Sequence, residues 1–160
     1  METVYLSLGS NLGHREENLK SALQKLKEAG VIVNRRSSVY ETEPQDVIEQ
    51  PWFLNIAVEA ATNYSPLQLL ATTQRIEREV GRGKTPRVRR GPRVIDIDIL
   101  LYGDVVMDTP QLTIPHPRLT ERRFVLEPLM EIAPELMYPV TKEPLKSFLP
   151  QVFGQKLNRI

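Results

Sequence analysis

The chain has 160 residues, of which 41% are hydrophobic and 26% are charged, and its formal net charge is +1. These values are typical of a globular protein with a substantial core, and we expect residues 1–160 to form a single domain. The sequence has no cysteine, which excludes disulfides and thiolate metal sites, and it shows no signal peptide and no apolar run of membrane-spanning length. We therefore expect a cytoplasmic protein with neither a membrane nor a nucleic-acid partner.

Strands and helices alternate in the first half of the chain. Period-two alternation predicts the strands, an apolar stripe with matching end signals predicts the helices, and turn residues separate them. In chain order we predict a strand from Thr3 that breaks at the turn Gly9-Ser10-Asn11, a helix over 15–30, a strand over 31–42, a loop over 42–51, a strand over 52–62 and a helix over 65–81.

The next predicted strand, GPRVIDIDILLYG at 91–103, contains two aspartates among β-branched residues. Side chains alternate across a strand, so Asp96 and Asp98 share one face. The apolar residues assigned to the other face are Ile95, Ile97, Ile99 and Leu101. Beyond Asp108 the chain is rich in proline, and we expect short helices around 119–132.

The order β-α-β-β-α-β predicts an α+β, ferredoxin-like fold in which an antiparallel sheet carries helices on one face. If the apolar sides of the strands face the helices, Phe53, Asn55, Asp96 and Asp98 project together from the opposite face. We expect the active site on that opposite face.

The aspartate pair has two interpretations. Antiparallel strands often carry polar residues on one solvated side, which would give the pair no special role. The neighbouring Val94 and Leu100 are apolar, however, and this favours a cation site. Hard cations such as Mg²⁺ take oxygen ligands and need few carboxylates when phosphates supply the rest. The two carboxylates could share one ion or hold two, as in enzymes of phosphoryl transfer.

A run of basic residues precedes the aspartates. Its members are Arg82, Lys84, Arg87, Arg89, Arg90 and Arg93. Such a run is often solvated or paired with acids. Its glycines predict a mobile loop, and guanidinium groups bind phosphate oxygens through paired hydrogen bonds, which favours a polyphosphate ligand. Closure of the loop would also exclude water, as a transferase requires.

The motifs of the chain, taken in order, resemble the 6-hydroxymethyl-7,8-dihydropterin pyrophosphokinase family of folate biosynthesis. They are LSLGSNLG, SSVYETEP, QPWFLNIAV, TQRIEREVGR, RRGPRVIDIDILLYG, IPHPRL and RRFVLEPLMEIAPEL. The resemblance implies a ferredoxin-like fold, ATP as co-substrate, two Mg²⁺ ions and a monomer whose partners are small molecules. It also implies transfer of an intact pyrophosphoryl group from ATP to the hydroxymethyl oxygen of the pterin, with release of AMP.

The resemblance further implies roles for individual residues. The expected catalytic residues are Arg82, Arg93, Asp96 and Asp98, of which Asp96 and Asp98 are the expected metal ligands. The expected ATP-binding residues are Gln74, Glu77, Arg93, Ile99, Thr113, His116 and Arg122. The expected pterin-binding residues are Thr42, Phe53, Asn55 and Phe124, with the two aromatic rings on either side of the pterin and the amide at its polar edge.

Simpler roles stay open for several of these residues. Phe53 and Phe124 are also typical of a core, His116 could brace a loop, and Gln74 and Glu77 could be solvent residues of a helix. Two rival functions also stay open. One is an RNA-binding module, which is disfavoured by carboxylates on the sheet face, and the other is a metal-dependent phosphohydrolase.

Overall fold

The computed structural model of the chain describes residues 1–44, 49–81 and 93–160. The strands and α-helices, in chain order, are β1 (Glu2–Ser10), α1 (Arg15–Glu28), β2 (Ile32–Arg36), β3 (Tyr40–Thr42), β4 (Phe53–Thr62), α2 (Pro66–Val80), β5 (Asp96–Tyr102), β6 (Met107–Asp108), β7 (Thr113–Ile114), α3 (Arg123–Ile132) and β8 (Leu157–Arg159). The 3₁₀ segments Leu119–Glu121 and Leu145–Val152 flank α3.

The ends of α2 show how local sequence defines an element. The Ser65 hydroxyl accepts a hydrogen bond from the Gln68 N–H, and the Gln68 side chain accepts one from the Ser65 N–H. This reciprocal cap satisfies donors at the helix start that have no partner within the helix. Pro66 occupies the first turn, where a missing N–H costs nothing. The predicted helices over 15–30 and 65–81 are both confirmed, and Gly30 follows α1 with a φ of 87°.

The strands form an antiparallel sheet in the order β5-β1-β4-β3-β8, and β2 also pairs with β4. The predicted ferredoxin-like arrangement is confirmed, with β2 and β3 together in the place of the second strand. The predicted strand over 31–42 is interrupted because the Ser37 hydroxyl, rather than a main-chain carbonyl, accepts the hydrogen bond of the Ala57 N–H. The C-terminal strand β8 has no counterpart among the predicted elements.

Helices pack on both faces of this sheet. The α1 and α2 helices cover the face that carries Leu6, Leu8, Leu54 and Ile56, as predicted. The α3 helix packs on the other face, against Tyr5, Ala57 and Leu100. The expectation of helices on one face is therefore correct for α1 and α2 only. Of the helices within the described ranges, none has the length and hydrophobicity needed to cross a bilayer.

One residue of β5 lies on the face opposite to its predicted one. Leu101 pairs with Tyr5, whereas Ile99 pairs with Leu6, so β5 has one extra residue at this point of the ladder. Such a bulge inverts the alternation beyond it. Leu101 therefore packs in the α3 cluster instead of beside Ile99.

Candidate active site

A row of residues crosses the middle of the sheet on the face opposite α1 and α2. Gly9 in β1 pairs with Asn55 in β4 on one side and with Asp96 in β5 on the other, and Tyr40 in β3 pairs with Asn55 from the far side. Residues that are directly opposed in antiparallel strands project to the same face. The order across the sheet is thus Tyr40, Asn55, Gly9, Asp96.

Neighbouring positions add the remaining predicted residues of this face. Asp98 pairs with Ser7, two residues from Gly9 along β1, and Phe53 pairs with Thr42. The register therefore confirms that Phe53, Asn55, Asp96 and Asp98 share one face of the sheet.

The side chain of Asn55 is held in one orientation within this face. Asn55 is 3% exposed, and its Nδ2 donates to the Thr42 hydroxyl at 2.6 Å. Thr42 is also buried, with 2% of its surface exposed. Phe53 is half-buried beside them. A buried amide next to an aromatic ring can bind a flat polar ligand through its edge.

The two aspartates remain accessible at the end of the row. Both are half-buried, the Asp96 side chain is 33% exposed, and Arg93 Nε lies 3.8 Å from Asp96 Oδ1. Within residues 1–44, 49–81 and 93–160, no three His, Asp or Glu side chains converge as a complete metal site. Two carboxylates suit a hard cation whose other oxygen ligands come from water and a phosphate-bearing substrate. The donor set fits Mg²⁺ on those terms.

Glu77 in α2 anchors the strand that carries the aspartates. Its Oε2 accepts a hydrogen bond of 2.8 Å from the Ile97 N–H, between Asp96 and Asp98. Among the described strands β5 lies at the edge of the sheet, so no described strand pairs with it on the side of Glu77. Glu77 is therefore more than a solvent residue, whereas Gln74, one turn earlier, is exposed.

Asn11, which the sequence pattern places in a simple turn, joins two segments of the site. Its side chain is 2% exposed; Nδ2 donates to Gln50 Oε1 and to the Pro51 carbonyl, both at 2.9 Å. Its Oδ1 accepts from the Arg93 N–H at 2.6 Å, and the main-chain N–H groups of Asn11 and Leu12 donate to the Arg93 carbonyl. Asn11 thereby fixes both ends of the Arg93 main chain. The strand β1 continues to Ser10, so of the predicted turn Gly9-Ser10-Asn11 only Asn11 lies beyond the strand.

His116 lies next to β5 as a neutral imidazole. The main-chain N–H of His116 donates to the Leu100 carbonyl, and the ring Nδ1 accepts from the main-chain N–H of Arg118 at 3.1 Å. Burial, together with the positive charges of Arg122 and Arg118, lowers the pKa of His116 to about 4. At neutral pH the ring proton is therefore on Nε2, which can donate to a ligand.

The remaining residues that the sequence predicts to bind ATP or the pterin lie in different parts of the fold. The Arg122 guanidinium carbon lies 5.3 Å from the centre of the Phe124 ring, a cation–π contact at the start of α3. Thr113 donates to Asp108 at 3.1 Å beside β7. The Ile99 side chain is buried between the sheet and α1 and α2, so only its main chain could contact a nucleotide. Arg82 and the basic run at 82–92 lie outside the described residues.

The fold and the site define a class of protein: a ferredoxin-like α+β chain in which the sheet face opposite α1 and α2 combines paired carboxylates, an arginine and a buried amide beside an aromatic ring. Residues 5–134 match the sequence profile of the family described as 7,8-dihydro-6-hydroxymethylpterin-pyrophosphokinase, or HPPK. The chain belongs to this family.

Known relatives and structures agree with the assignment. The chain is 44% identical over 151 residues to the 2-amino-4-hydroxy-6-hydroxymethyldihydropteridine pyrophosphokinase of Aquifex aeolicus, covering 94% of this chain and 92% of that protein. It is 46% identical over 153 residues to the folic acid synthesis protein fol1 of Schizosaccharomyces pombe, covering 95% of this chain and 21% of that protein. The chain thus spans about a fifth to a quarter of the length of several relatives that it matches.

A crystal structure of Plasmodium falciparum HPPK-DHPS superposes with a TM-score of 0.72 at 17% identity, covering 94% of this chain and 44% of that one. At this identity the likeness concerns the fold alone, and it confirms the α+β architecture.

Proposed function

We propose that the chain transfers the pyrophosphoryl group of ATP to the hydroxymethyl oxygen of 6-hydroxymethyl-7,8-dihydropterin, releasing AMP, in folate biosynthesis. Membership of the pyrophosphokinase family supports this reaction. The observation that carries the proposal is the register that aligns Asn55, Gly9 and Asp96 across β4, β1 and β5. Two strand spacings, roughly 10 Å, separate the amide from the carboxylate. A bicyclic ring at Asn55 would then direct its one-carbon arm towards the aspartates.

The reaction joins the pterin hydroxyl oxygen to the β-phosphorus of ATP and breaks the bond from that phosphorus to the bridging oxygen of AMP. The hydroxyl proton is released. Asp96 and Asp98 would hold two Mg²⁺ ions, which supply positive charge to the phosphates and lower the pKa of the attacking hydroxyl. Arg93, whose side chain is 12% exposed, would add a further positive charge beside them.

The remaining residues would bind and orient the two substrates. Asn55 and Thr42 would meet the polar edge of the pterin, and Phe53 and Phe124 would stack on its ring. His116, neutral and protonated on Nε2, would donate to the nucleotide. Three further expected nucleotide contacts are Gln74, Thr113 and Arg122.

The proposed roles of Ile99 and Arg82 differ from those of the other residues. The main chain of Ile99, rather than its side chain, is proposed to face the nucleotide. The role of Arg82 at the phosphates rests on the family resemblance alone.

Formation of AMP tests the proposal directly. The chain is incubated with ATP, Mg²⁺ and the dihydropterin alcohol, and nucleotides are separated by chromatography; we expect AMP in an amount equal to the pterin converted. ADP in place of AMP would indicate an ordinary kinase, and phosphate release without the pterin would indicate a phosphohydrolase. Tight RNA binding without Mg²⁺ would favour the nucleic-acid rival. Any of these results overturns the proposal.

Matched variants test the role of the aspartates. Asp96→Asn and Asp98→Asn should remove nearly all turnover, while Asp104→Asn, at an exposed aspartate beyond the end of β5, should leave it unchanged. Full activity in either of the first two would remove the proposed metal site. We further propose a monomer that acts in the cytoplasm on small molecules, and light scattering of the purified chain tests the monomer.

A further inference from the structure

Gly9 is the penultimate residue of β1 and pairs with β4 on one side and β5 on the other. Glycine is unfavourable in such a paired strand because it has no side chain to pack and loses the most conformational freedom. Its main chain does not require glycine, since its φ lies outside the left-handed region, unlike those of Gly13, Gly30 and Gly103. The requirement for glycine must therefore come from the space around Cα.

That space is filled by the side chain of Asn55. A Cβ atom placed on Gly9 would lie 2.6 Å from Asn55 Oδ1 and 3.4 Å from Phe53 Cδ1. The first distance is far inside van der Waals contact, and the side chain of Asn55 is too deeply buried to move aside freely. On the other side of β4, Asn55 Nδ2 is held by Thr42 Oγ1 at 2.6 Å. The amide thus lies across β4 with its oxygen over β1 and its nitrogen at β3.

We propose that Gly9 is a positioning residue for substrate recognition, because its lack of a side chain allows the Asn55 amide to lie over β1 with a fixed orientation. In that orientation the amide offers Oδ1 and the second N–H of Nδ2 as an adjacent acceptor and donor. This pair complements a ring edge that carries a neighbouring donor and acceptor. The inference rests on the proposed function, since it assigns the pterin as the ligand of the amide.

A side chain at position 9 displaces the amide and with it the acceptor and donor. We expect Gly9→Ala to weaken binding of the dihydropterin alcohol about 10- to 100-fold, the loss expected for one or two hydrogen bonds. Affinity for a non-hydrolysable ATP analogue should change less than about twofold, because Asn55 is not among the expected nucleotide contacts. A general loss of structure would instead weaken the binding of both ligands to a similar extent.

Calorimetric titration of both ligands into wild type, Gly9→Ala, Asn55→Ala and the double variant measures these effects. Gly154→Ala is the matched control, since no described atom lies within 4 Å of a Cβ there and its φ is ordinary. If Gly9 acts through Asn55, adding Gly9→Ala to Asn55→Ala changes pterin affinity less than about twofold. The inference is overturned if Gly9→Ala binds the pterin as tightly as wild type does. It is also overturned if Gly9→Ala weakens pterin binding as much in the Asn55→Ala background as it does in wild type.

Nuclear magnetic resonance of the ligand-free chain supplies a readout that needs no substrate. The side-chain NH₂ signals of Asn55 are assigned by their loss in Asn55→Ala. They should shift in Gly9→Ala and stay in place in Gly154→Ala; unchanged signals in Gly9→Ala refute the positioning role. If the wild type binds no pterin, the proposed function fails, while these spectra still decide the orientation of the amide.

A second variant covers the case in which Gly9→Ala does not fold. Thr42→Val keeps the shape of the side chain and removes the oxygen that holds Asn55 Nδ2. It should shift the same NH₂ signals and weaken pterin binding about tenfold. Unchanged signals together with unchanged affinity would show that the amide is not held between β1 and β3, and the inference would be wrong.

Discussion

Asn11 holds the main chain of Arg93 and the segment before β4 together, so Asn11→Ala should destabilise the chain at the site. The variant removes the acceptor of the Arg93 N–H and both donors to Gln50 and Pro51. A buried N–H without a partner costs about 1–3 kcal/mol, and each lost neutral hydrogen bond costs about 0.5–1.5 kcal/mol. Gln50 is half-buried, so water can replace part of its bond. We expect the free energy of unfolding to fall by about 2–4 kcal/mol.

Urea unfolding followed by circular dichroism at pH 7 measures this difference. The matched control is Asn34→Ala, an exposed asparagine of β2, for which we expect a change within about 0.5 kcal/mol. Turnover should fall as well in Asn11→Ala, because Arg93 loses its main-chain support beside the aspartates. A destabilisation no larger than that of Asn34→Ala would refute the role given to Asn11.

Three further predictions concern the aspartates, the buried imidazole and the edge of the sheet. Asp96→Asn and Asp98→Asn should each lower kcat about 1000-fold at saturating Mg²⁺, equivalent to about 4 kcal/mol of transition-state stabilisation, in an assay of AMP formation. Because the pKa of His116 is about 4 in the folded chain and near 6.5 when unfolded, the unfolded state takes up the proton first on acidification. Between pH 7 and pH 4 the free energy of unfolding should therefore fall by up to roughly 3 kcal/mol more in wild type than in His116→Gln. Urea unfolding at a series of pH values measures this difference, and the same pH dependence in both proteins would contradict the prediction. Glu77→Ala should lower stability by about 1 kcal/mol, whereas Glu77→Gln, which keeps an acceptor for the Ile97 N–H, should restore most of it; equal values for the two variants would count against the anchoring contact.

Alternation along each strand, together with the expectation that the apolar sides face the helices, is sufficient to predict the common face of Phe53, Asn55, Asp96 and Asp98. The reason is that strand side chains alternate regularly wherever the ladder is regular. The same rule is wrong for Leu101, because the extra residue in β5 arises from its pairing with β1. A bulge depends on two strands, so the sequence of one strand does not reveal it.

Other features of the site depend on contacts between distant parts of the chain. Asn11 binds residues 39 and 82 positions away, and nothing in GSNLG distinguishes these bonds from those of an ordinary turn. The placement of α3 is similar, since its apolar stripe predicts a buried face but does not say which face of the sheet it covers. The role of Glu77 also depends on a distant contact. Helical spacing predicts only that Glu77 lies on the same face of α2 as Gln74, whereas its bond to the Ile97 N–H depends on the position of β5 at the edge of the described sheet.

The role of the aspartates at the phosphates is tested most directly by a crystal structure of the chain with Mg²⁺, a non-hydrolysable ATP analogue and the dihydropterin alcohol. We predict cations about 2.0–2.1 Å from carboxylate oxygens of Asp96 and Asp98, with phosphate oxygens completing the coordination. The pterin hydroxyl should point at the β-phosphorus from the side of Asn55. Phosphates bound elsewhere, with no cation on either aspartate, would contradict the account.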